Sequence, residues 1–524
     1  MNQSIKITRS QAFKYVLIVI FLQVLLWTVL PYIFLGALPF DTSESIAWGM
    51  QWQLGYDKMP PFTPWLLAPV YELFGVFGVY LFAQVVIVVA LLSMWKISQE
   101  FFENPMYSFL GVVLLQGNLS FTFVSPYINP NAMLVPLFAL LILVFYYAIK
   151  TNKLGYWALV GLLAACNLLD KYQCAIIFIV IIIFMFYNAE ARKRLASFGP
   201  YLAIIIAVIL VIPHFYHSYF QGFPEVQYAL YSTVSEMTWS ARIRDPFQMT
   251  INQLGTIAPM LVMLLAFCGR RDQKFSPEYT TRFKKQYLFF MALGCFLVTI
   301  IFGFITGSKM NNNWFVPYFP MIGIALVYVI RPKVTPKRLK IFIVLLAVVM
   351  IALPASRFIA IAVNPYKLGY PNSNAYFPAE AIAAKVQEEW KINNKQNMPL
   401  DYVAGDHYVA AYMTTYIPSH PMPFLDWSLQ ESPWINVDNM MKKGAMFVWM
   451  AKDNPHVVNS RVNSNTLPEH VLKCFPNVKP LGVFDFKPAS IANLPPSVRV
   501  GMAYLPPSNM TSPCSSRSFT GNDY

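Results

Sequence analysis

Between residues 15 and 362 the chain returns repeatedly to unbroken apolar runs, several of them about 20 residues long, the length a helix needs to cross a bilayer. A run of that kind leaves few choices of fold. In hydrocarbon every backbone N–H and C=O must be satisfied inside the protein, and a single apolar segment does this only as a helix. The runs fall near 15–36, 65–95, 106–126, 132–149, 155–169, 174–190, 198–216, 251–269, 286–306, 315–331 and 341–362. They predict a polytopic α-helical membrane protein with about 11 transmembrane helices. Lys6, Arg9 and Lys14 before the first run imitate a signal peptide. That run is too long for an h-region, and further spans follow it.

Charge supports this reading and sets a direction. Only 12% of residues are charged, against about 25% in soluble domains. The formal charge of +14 is not a nucleic-acid footprint, because Lys and Arg collect in the connections. One side would hold Lys96, Lys150, Lys153, Arg192, Lys193, Arg194, Arg270 to Lys285 and Arg331 to Lys340. The other would hold mainly Lys58, Lys171, Arg242, Arg244 and Lys309. The positive-inside bias then puts the first set in the cytoplasm and residues 363–524 outside. The expected division is a transmembrane catalytic domain, 1–362, and a periplasmic C-terminal α/β or α+β domain, 363–524. In the latter a helix is expected near 378–392 and strands near 401–404 and 445–450. Cys166, Cys174, Cys268 and Cys295 lie in or beside spans, as inert buried thiols do. Cys474 and Cys514 are disulfide candidates if their domain is periplasmic. No metal-ligand spacing of the C-x-x-C type competes with that pairing.

Chemistry must be sought among the polar residues left on the outer face. These are Asp41 and Glu44 in PFDTSES, Lys58 in GYDKMPPFTPW, Asn129 and Asn131 in SPYINPNAM, Lys171 after Asp170, and Lys309 in GSKMNNNW. Ionisable groups near a membrane are costly and tend to mark functional sites. Each also has a bland reading. Lys171 suits an interfacial anchor, Asn129 and Asn131 suit helix caps beside Pro130, and Glu72, His214 and His217 suit packing roles. The segment 41–65 fits the bland reading less well, since a mere connector does not need acids and a lysine among Trp48, Trp52, Tyr56, Pro60 and Pro61. The chain has no Walker A loop, no strand-to-helix G-x-G-x-x-G, no H-E-x-x-H and no D-x-D pair. An ATPase, a dehydrogenase and a nucleotide-sugar transferase are therefore poorly supported.

The segment PFDTSESIAWGMQWQLGYDKMPPFTPW resembles the first outer loop of the GT-C glycosyltransferases, in the branch of the protein O-mannosyltransferases and the lipid A aminoarabinose transferases (ArnT). Asp41, Gly55, Tyr56, Lys58, Pro60, Pro61 and Trp65 match that loop in order. INPNAMLVPL, NLLDKYQCAIIF and GSKMNNNWFVPYFP are similar to later conserved segments. YVAGDHYVAAYMTTYIPSHPMPF and SPWINVDNMMKKGAMFVW look like the outer domain of the lipopolysaccharide-core galacturonosyltransferases. Two departures stand out. The acids of the first loop lie three residues apart instead of adjacent. Asn129 and Asn131 also stand where ArnT members carry an Asp, which favours a galacturonosyl-type relative.

The resemblance implies an inverting transfer from a polyprenyl-phosphate sugar to lipid A, lipopolysaccharide core or another envelope acceptor. The reaction would occur at the periplasmic face of a bacterial inner membrane. A phosphate leaving group needs positive charge more than a general acid. Lys58 and Lys309 are the expected phosphate ligands, with Arg242 and Arg244, taken to lie in a long outer loop, as weaker ones. Asp41 is the expected base, with Glu44 orienting it or exchanging roles with it. Tyr56, Asn129, Asn131, Lys171 and Trp314 are the substrate-binding candidates. No cofactor is required and no metal site is assigned, though Asp41 and Glu44 leave room for a divalent cation. The rival readings are a protein O-mannosyltransferase-like enzyme and, from another class, a lipid or solute transporter or flippase. Transporters often carry inverted repeats and midplane charges, neither of which the sequence displays.

Overall fold

The structure is a computed structural model that describes residues 7–233, 238–268, 272, 281–308, 310–363, 374–452, 464–489, 498–509 and 511–514. The chain partitions into two units, neither of them contiguous. The first comprises Met1–Leu30, Lys58–Phe62 and Val79–Arg357; the second comprises Pro31–Asp57, Thr63–Gly78 and Phe358–Tyr524.

The helices up to residue 363 are, in order, α1 (Arg9–Phe34), α2 (Phe40–Gly49), α3 (Phe62–Phe101), α4 (Pro105–Val113), α5 (Pro130–Thr151), α6 (Leu154–Asp170) and α7 (Ala175–Tyr187). They continue with α8 (Ala189–Arg194), α9 (Gly199–Phe220), α10 (Pro224–Thr233), α11 (Trp239–Leu264), α12 (Arg282–Thr306), α13 (Ile322–Ile330) and α14 (Pro336–Val363). Among the described residues, 7 helices are long and apolar enough to cross a membrane: α1, α3, α5, α9, α11, α12 and α14. The chain is thus a polytopic helical membrane protein. The other four expected spans coincide with shorter apolar helices: α4 with its 3-10 extension Leu114–Gly117, then α6, α7 and α13. The span expected over 106–126 stops early for a local reason. Asn118 Oδ1 accepts from the Ser120 N–H at 3.0 Å, and the chain turns instead of propagating the helix.

In the first unit, α9 shows how lipid and protein divide a helix. Ala203, Ala207, Val211, His214 and Ser218 form a buried stripe at helical spacing. Ile204, Val208, Ile209 and Ile212 are exposed. An apolar surface of that kind would be a liability in water and is the expected lipid-facing surface in a bilayer. The buried stripe meets α6 closely, since a Cβ on Gly161 would stand 2.5 Å from the Ala203 carbonyl oxygen.

Helix α3 has 40 residues. It breaks at Gly75, whose φ of 60° and ψ of −158° fall in a region essentially closed to side-chain-bearing residues.

The second unit is built on a five-stranded mixed sheet with the order β2-β1-β3-β5-β4. Its elements after residue 374 are α15 (Ala379–Asn393), β1 (Tyr402–Gly405), α16 (His407–Tyr416), β2 (Met422–Leu425), α17 (Val437–Lys443), β3 (Ala445–Met450), α18 (Glu469–Cys474), β4 (Lys479–Phe486) and β5 (Val498–Leu505). Strands β2, β1 and β3 are parallel, with Gly405 opposite Leu425 and Val448. β5 runs antiparallel to both β3 and β4, and the β4 register shifts between Pro480 and Gly482. Tyr402, Ala404, Phe424, Phe447 and Trp449 pack with Met440, Met441, Val471 and Phe475 into one core. Cys474 and Cys514 are joined by a disulfide beside that core, with Cα atoms 5.1 Å apart.

Candidate active site

Helix α2 carries both acids of the first loop, and the helix treats them oppositely. Asp41 stands in its first turn, exposed, where the helix dipole favours a negative charge. From Thr42 to Gly49 every residue is buried. Glu44, one turn on, is only 3% exposed. The helix lies along α16 of the same unit. The Tyr416 hydroxyl accepts from the Leu38 N–H at 2.7 Å, the Tyr412 hydroxyl donates to the Leu38 carbonyl at 2.8 Å, and Thr415 Oγ1 donates to the Ser43 carbonyl at 3.2 Å.

Glu44 is held by a residue the sequence reading missed. Its Oε1 lies 2.5 Å from His407 Nε2. His407 Nδ1 lies 3.0 Å from Glu431 Oε2 and 3.9 Å from Asp426 Oδ2. Glu44, His407, Asp426 and Glu431 are all buried. The fold explains their convergence. β1 and β2 are neighbouring parallel strands, so the residues just after them, His407 and Asp426, emerge at the same edge of the sheet. Asp406 caps α16 by accepting from the Tyr408 N–H at 2.9 Å. Asp426 Oδ1 accepts from the His407 N–H at 2.8 Å, which turns Oδ2 toward the imidazole. Asp426 and Trp427 both adopt positive φ, 47° and 52°. Two consecutive side-chain-bearing residues in that region are costly and are often associated with functional sites. The Phe40 and Trp48 rings meet the imidazole edge-on, with centroids 5.9 and 6.0 Å away. The usable signal in the sequence was Asp-His directly after a short apolar strand. Nothing local linked it to Glu44.

Tyr56 is buried and stacks on Trp48 at 5.5 Å, so one face of its ring is already occupied. Burial pushes its phenol above the ordinary tyrosine range, and its oxygen accepts from the Gln53 N–H at 3.2 Å.

The remaining candidates belong to the first unit. Lys58 is half-buried in the coil leading to α3. Lys171 Nζ donates to Asn131 Oδ1 at 2.7 Å, joining two candidates 40 residues apart. Asn129 does what a cap does: its Oδ1 accepts from the Ala132 N–H at 3.1 Å at the start of α5. Arg242 and Arg244 are not in a loop. Thr238 caps α11 by accepting from the Ala241 N–H at 3.3 Å, which places both arginines in the opening turns of that helix. Arg242 lies over the Trp239 ring at 5.2 Å, and Arg244 pairs with Asp245 at 2.9 Å. Trp314 is half-buried in a 3-10 turn, and its carbonyl accepts from Gln173 Nε2. Lys309 lies outside the described residues.

Residues 58–217 match the family model described as dolichyl-phosphate-mannose-protein mannosyltransferase. The chain is 23% identical to the lipopolysaccharide core galacturonosyltransferase RgtB of Rhizobium johnstonii, over 79% of this chain and 82% of that one. It is 21% identical to RgtA of the same organism, over 82% and 85%. Among solved structures, apo ArnT from Cupriavidus metallidurans superposes with a TM-score of 0.57 at 14% identity, covering 94% of this chain and 98% of that one. The same protein bound to undecaprenyl phosphate gives 0.55 at 12% identity, covering 96% and 99%. These two likenesses establish a shared fold.

Proposed function

We propose that this chain, a membrane glycosyltransferase of the GT-C class in the protein O-mannosyltransferase and ArnT-like branch, moves a sugar from a polyprenyl-phosphate donor to lipopolysaccharide core, lipid A or a related envelope acceptor. The reaction takes place at the periplasmic face of a bacterial inner membrane. The observation that carries this reading is helix α2, which holds an exposed Asp41 on a buried, hydrogen-bonded scaffold. Its likeness to the galacturonosyltransferases over most of its length favours a lipopolysaccharide acceptor.

In this mechanism the acceptor hydroxyl attacks the anomeric carbon, the bond from that carbon to the phosphate oxygen breaks, and polyprenyl phosphate leaves. Asp41 takes the hydroxyl proton. Its exposure leaves it accessible to an incoming acceptor, whereas Glu44 is buried against His407 and positions the helix. Exchange of their roles would require Glu44 to abandon that imidazole. Lys58 and Lys309 offset the charge growing on the phosphate, because a leaving group that departs as an anion needs cations more than protons. The Lys171–Asn131 pair binds substrate hydroxyls or carboxylate. Arg242 and Arg244, on a helix and engaged with Trp239 and Asp245, are supporting cations.

Mass spectrometry of lipopolysaccharide from a deletion strain, complemented with wild type or Asp41→Asn, tests the reading. We expect loss of one sugar mass that only wild type restores, since a positioned base contributes about 10²–10⁴-fold. Restoration by Asp41→Asn would remove Asp41 as the base. The match at residues 58–217 favours a second reading, a protein acceptor, which unchanged lipopolysaccharide together with lost protein glycosylation would support.

A further inference from the structure

We infer that His407, Asp426 and Glu431 form a divalent-cation site, for zinc or manganese, that locks helix α2 through Glu44. The three residues each offer one ligand atom, and these atoms lie within 4.8 Å of one another. An ion bonded at about 2.0–2.2 Å separates adjacent ligand atoms by roughly 3.0–3.5 Å in tetrahedral or octahedral geometry. His407 Nδ1 stands 3.0 Å from Glu431 Oε2 and 3.9 Å from Asp426 Oδ2, so closure on an ion requires small side-chain adjustments. Asp426 is already aimed by the His407 N–H, and Glu431 is anchored through its own N–H to Ser428 Oγ at 3.3 Å. One imidazole with two carboxylates is a donor set suited to zinc or manganese more than to calcium, which favours oxygen alone.

The far side of the imidazole is an independent reason. A histidine that ligates metal through one nitrogen commonly donates its other N–H to a carboxylate, which fixes the tautomer and strengthens the ligand. His407 Nε2 meets Glu44 Oε1 at 2.5 Å, from a helix 363 residues away in sequence. Charge argues the same way. Glu44, Asp426 and Glu431 are 3%, 2% and 6% exposed. A dication bonded to Asp426 and Glu431 offsets the charge of both. With the ion bound, Nδ1 carries no proton and Nε2–H donates to Glu44. Without it, the short Nδ1 contact to Glu431 needs a proton in the same place. The question is therefore whether a metal or a proton occupies Nδ1. The ion would act as a fastener, holding the helix that presents Asp41.

The readout is metal content and does not depend on the donor or acceptor. Full-length protein is purified in detergent, stripped with a chelator, dialysed against zinc or manganese chloride with a metal-free control, and assayed by inductively coupled plasma mass spectrometry and thermal denaturation. We expect about one equivalent per chain with a raised melting temperature, and less than about a tenth of an equivalent in Glu431→Gln and Asp426→Asn. Glu44→Gln should weaken affinity about 10–100-fold without abolishing it. Wild type that binds less than about a tenth of an equivalent and melts identically with and without chelator would overturn the inference in favour of a protonated imidazole. Full metal content in both ligand variants would overturn it in favour of another site. If one ligand variant fails to fold, the other and Glu44→Gln still decide.

Discussion

Two acids three residues apart on one helix should give opposite phenotypes, and the structure sets the size of the difference. Glu44 is 3% exposed and bound to a buried imidazole. Removing Glu44 takes from a buried imidazole nitrogen the carboxylate it meets there, at a cost of about 1–3 kcal/mol. Glu44→Ala should therefore take a large share of a total stability that is itself about 5–15 kcal/mol. For a unit of this size each kcal/mol moves the melting temperature by about 2–4 °C, so a loss of at least about 2 °C is expected. Asp41 sits on the exposed rim of the same helix, where its charge at the helix N-terminus is worth about 0.3–1 kcal/mol, while transfer should fall about 10²–10⁴-fold on substitution by Asn. The assay is thermal denaturation of detergent-purified protein followed by tryptophan fluorescence, with Trp48 as a near reporter of His407. Sugar transfer is measured on the same preparations. If Glu44→Ala melts within 1 °C of wild type, or if Asp41→Asn is the less stable of the two, the division of labour argued for α2 is wrong.

Two further expectations rest on features elsewhere. The Cys474–Cys514 bridge closes a segment of 40 residues, so Cys514→Ser should cost about 2–4 kcal/mol, measured by denaturation with and without reductant, which should no longer matter in the variant. Gly75→Ala forces a side chain into a backbone region that glycine alone enters readily, at about 1–3 kcal/mol. A melting temperature equal to wild type would mean that α3 straightens at no cost.

What the sequence could and could not reveal divides along locality. The long spans were legible because hydrophobic length is a property of one segment, and α15, β1 and β3 were legible for the same reason. The 106–126 run misled because its aromatics and aliphatics continue past Gly117, while one asparagine turns the chain. The placement of Arg242 and Arg244 in a loop missed a helix whose start depends on the Thr238 cap. β4 was hidden by Pro480 and Gly482, which interrupt its alternation. Asp41 and Glu44 were found as a pair because the first loop is distinctive in itself. Their unequal burial was not legible, since it depends on His407, a partner 363 residues away. His407, Asp426 and Glu431, whose side-chain donor atoms converge, lie on turns that only the sheet brings together.

The sheet order has a consequence for how these molecules share a membrane. Among the described residues its outermost strands are β2 and β4, and each contains a proline, Pro423 and Pro480. Proline cannot donate to a neighbouring strand. On β2 the Pro423 carbonyl already accepts from Trp434 Nε1 at 2.9 Å, and on β4 the register slips beside Pro480. Proteins confined to a bilayer meet one another in two dimensions, at high local density and with their domains on a common side. An open strand edge there would be an invitation to chain-to-chain zippering. With both borders of this sheet blunted, neighbouring copies can crowd without templating one another.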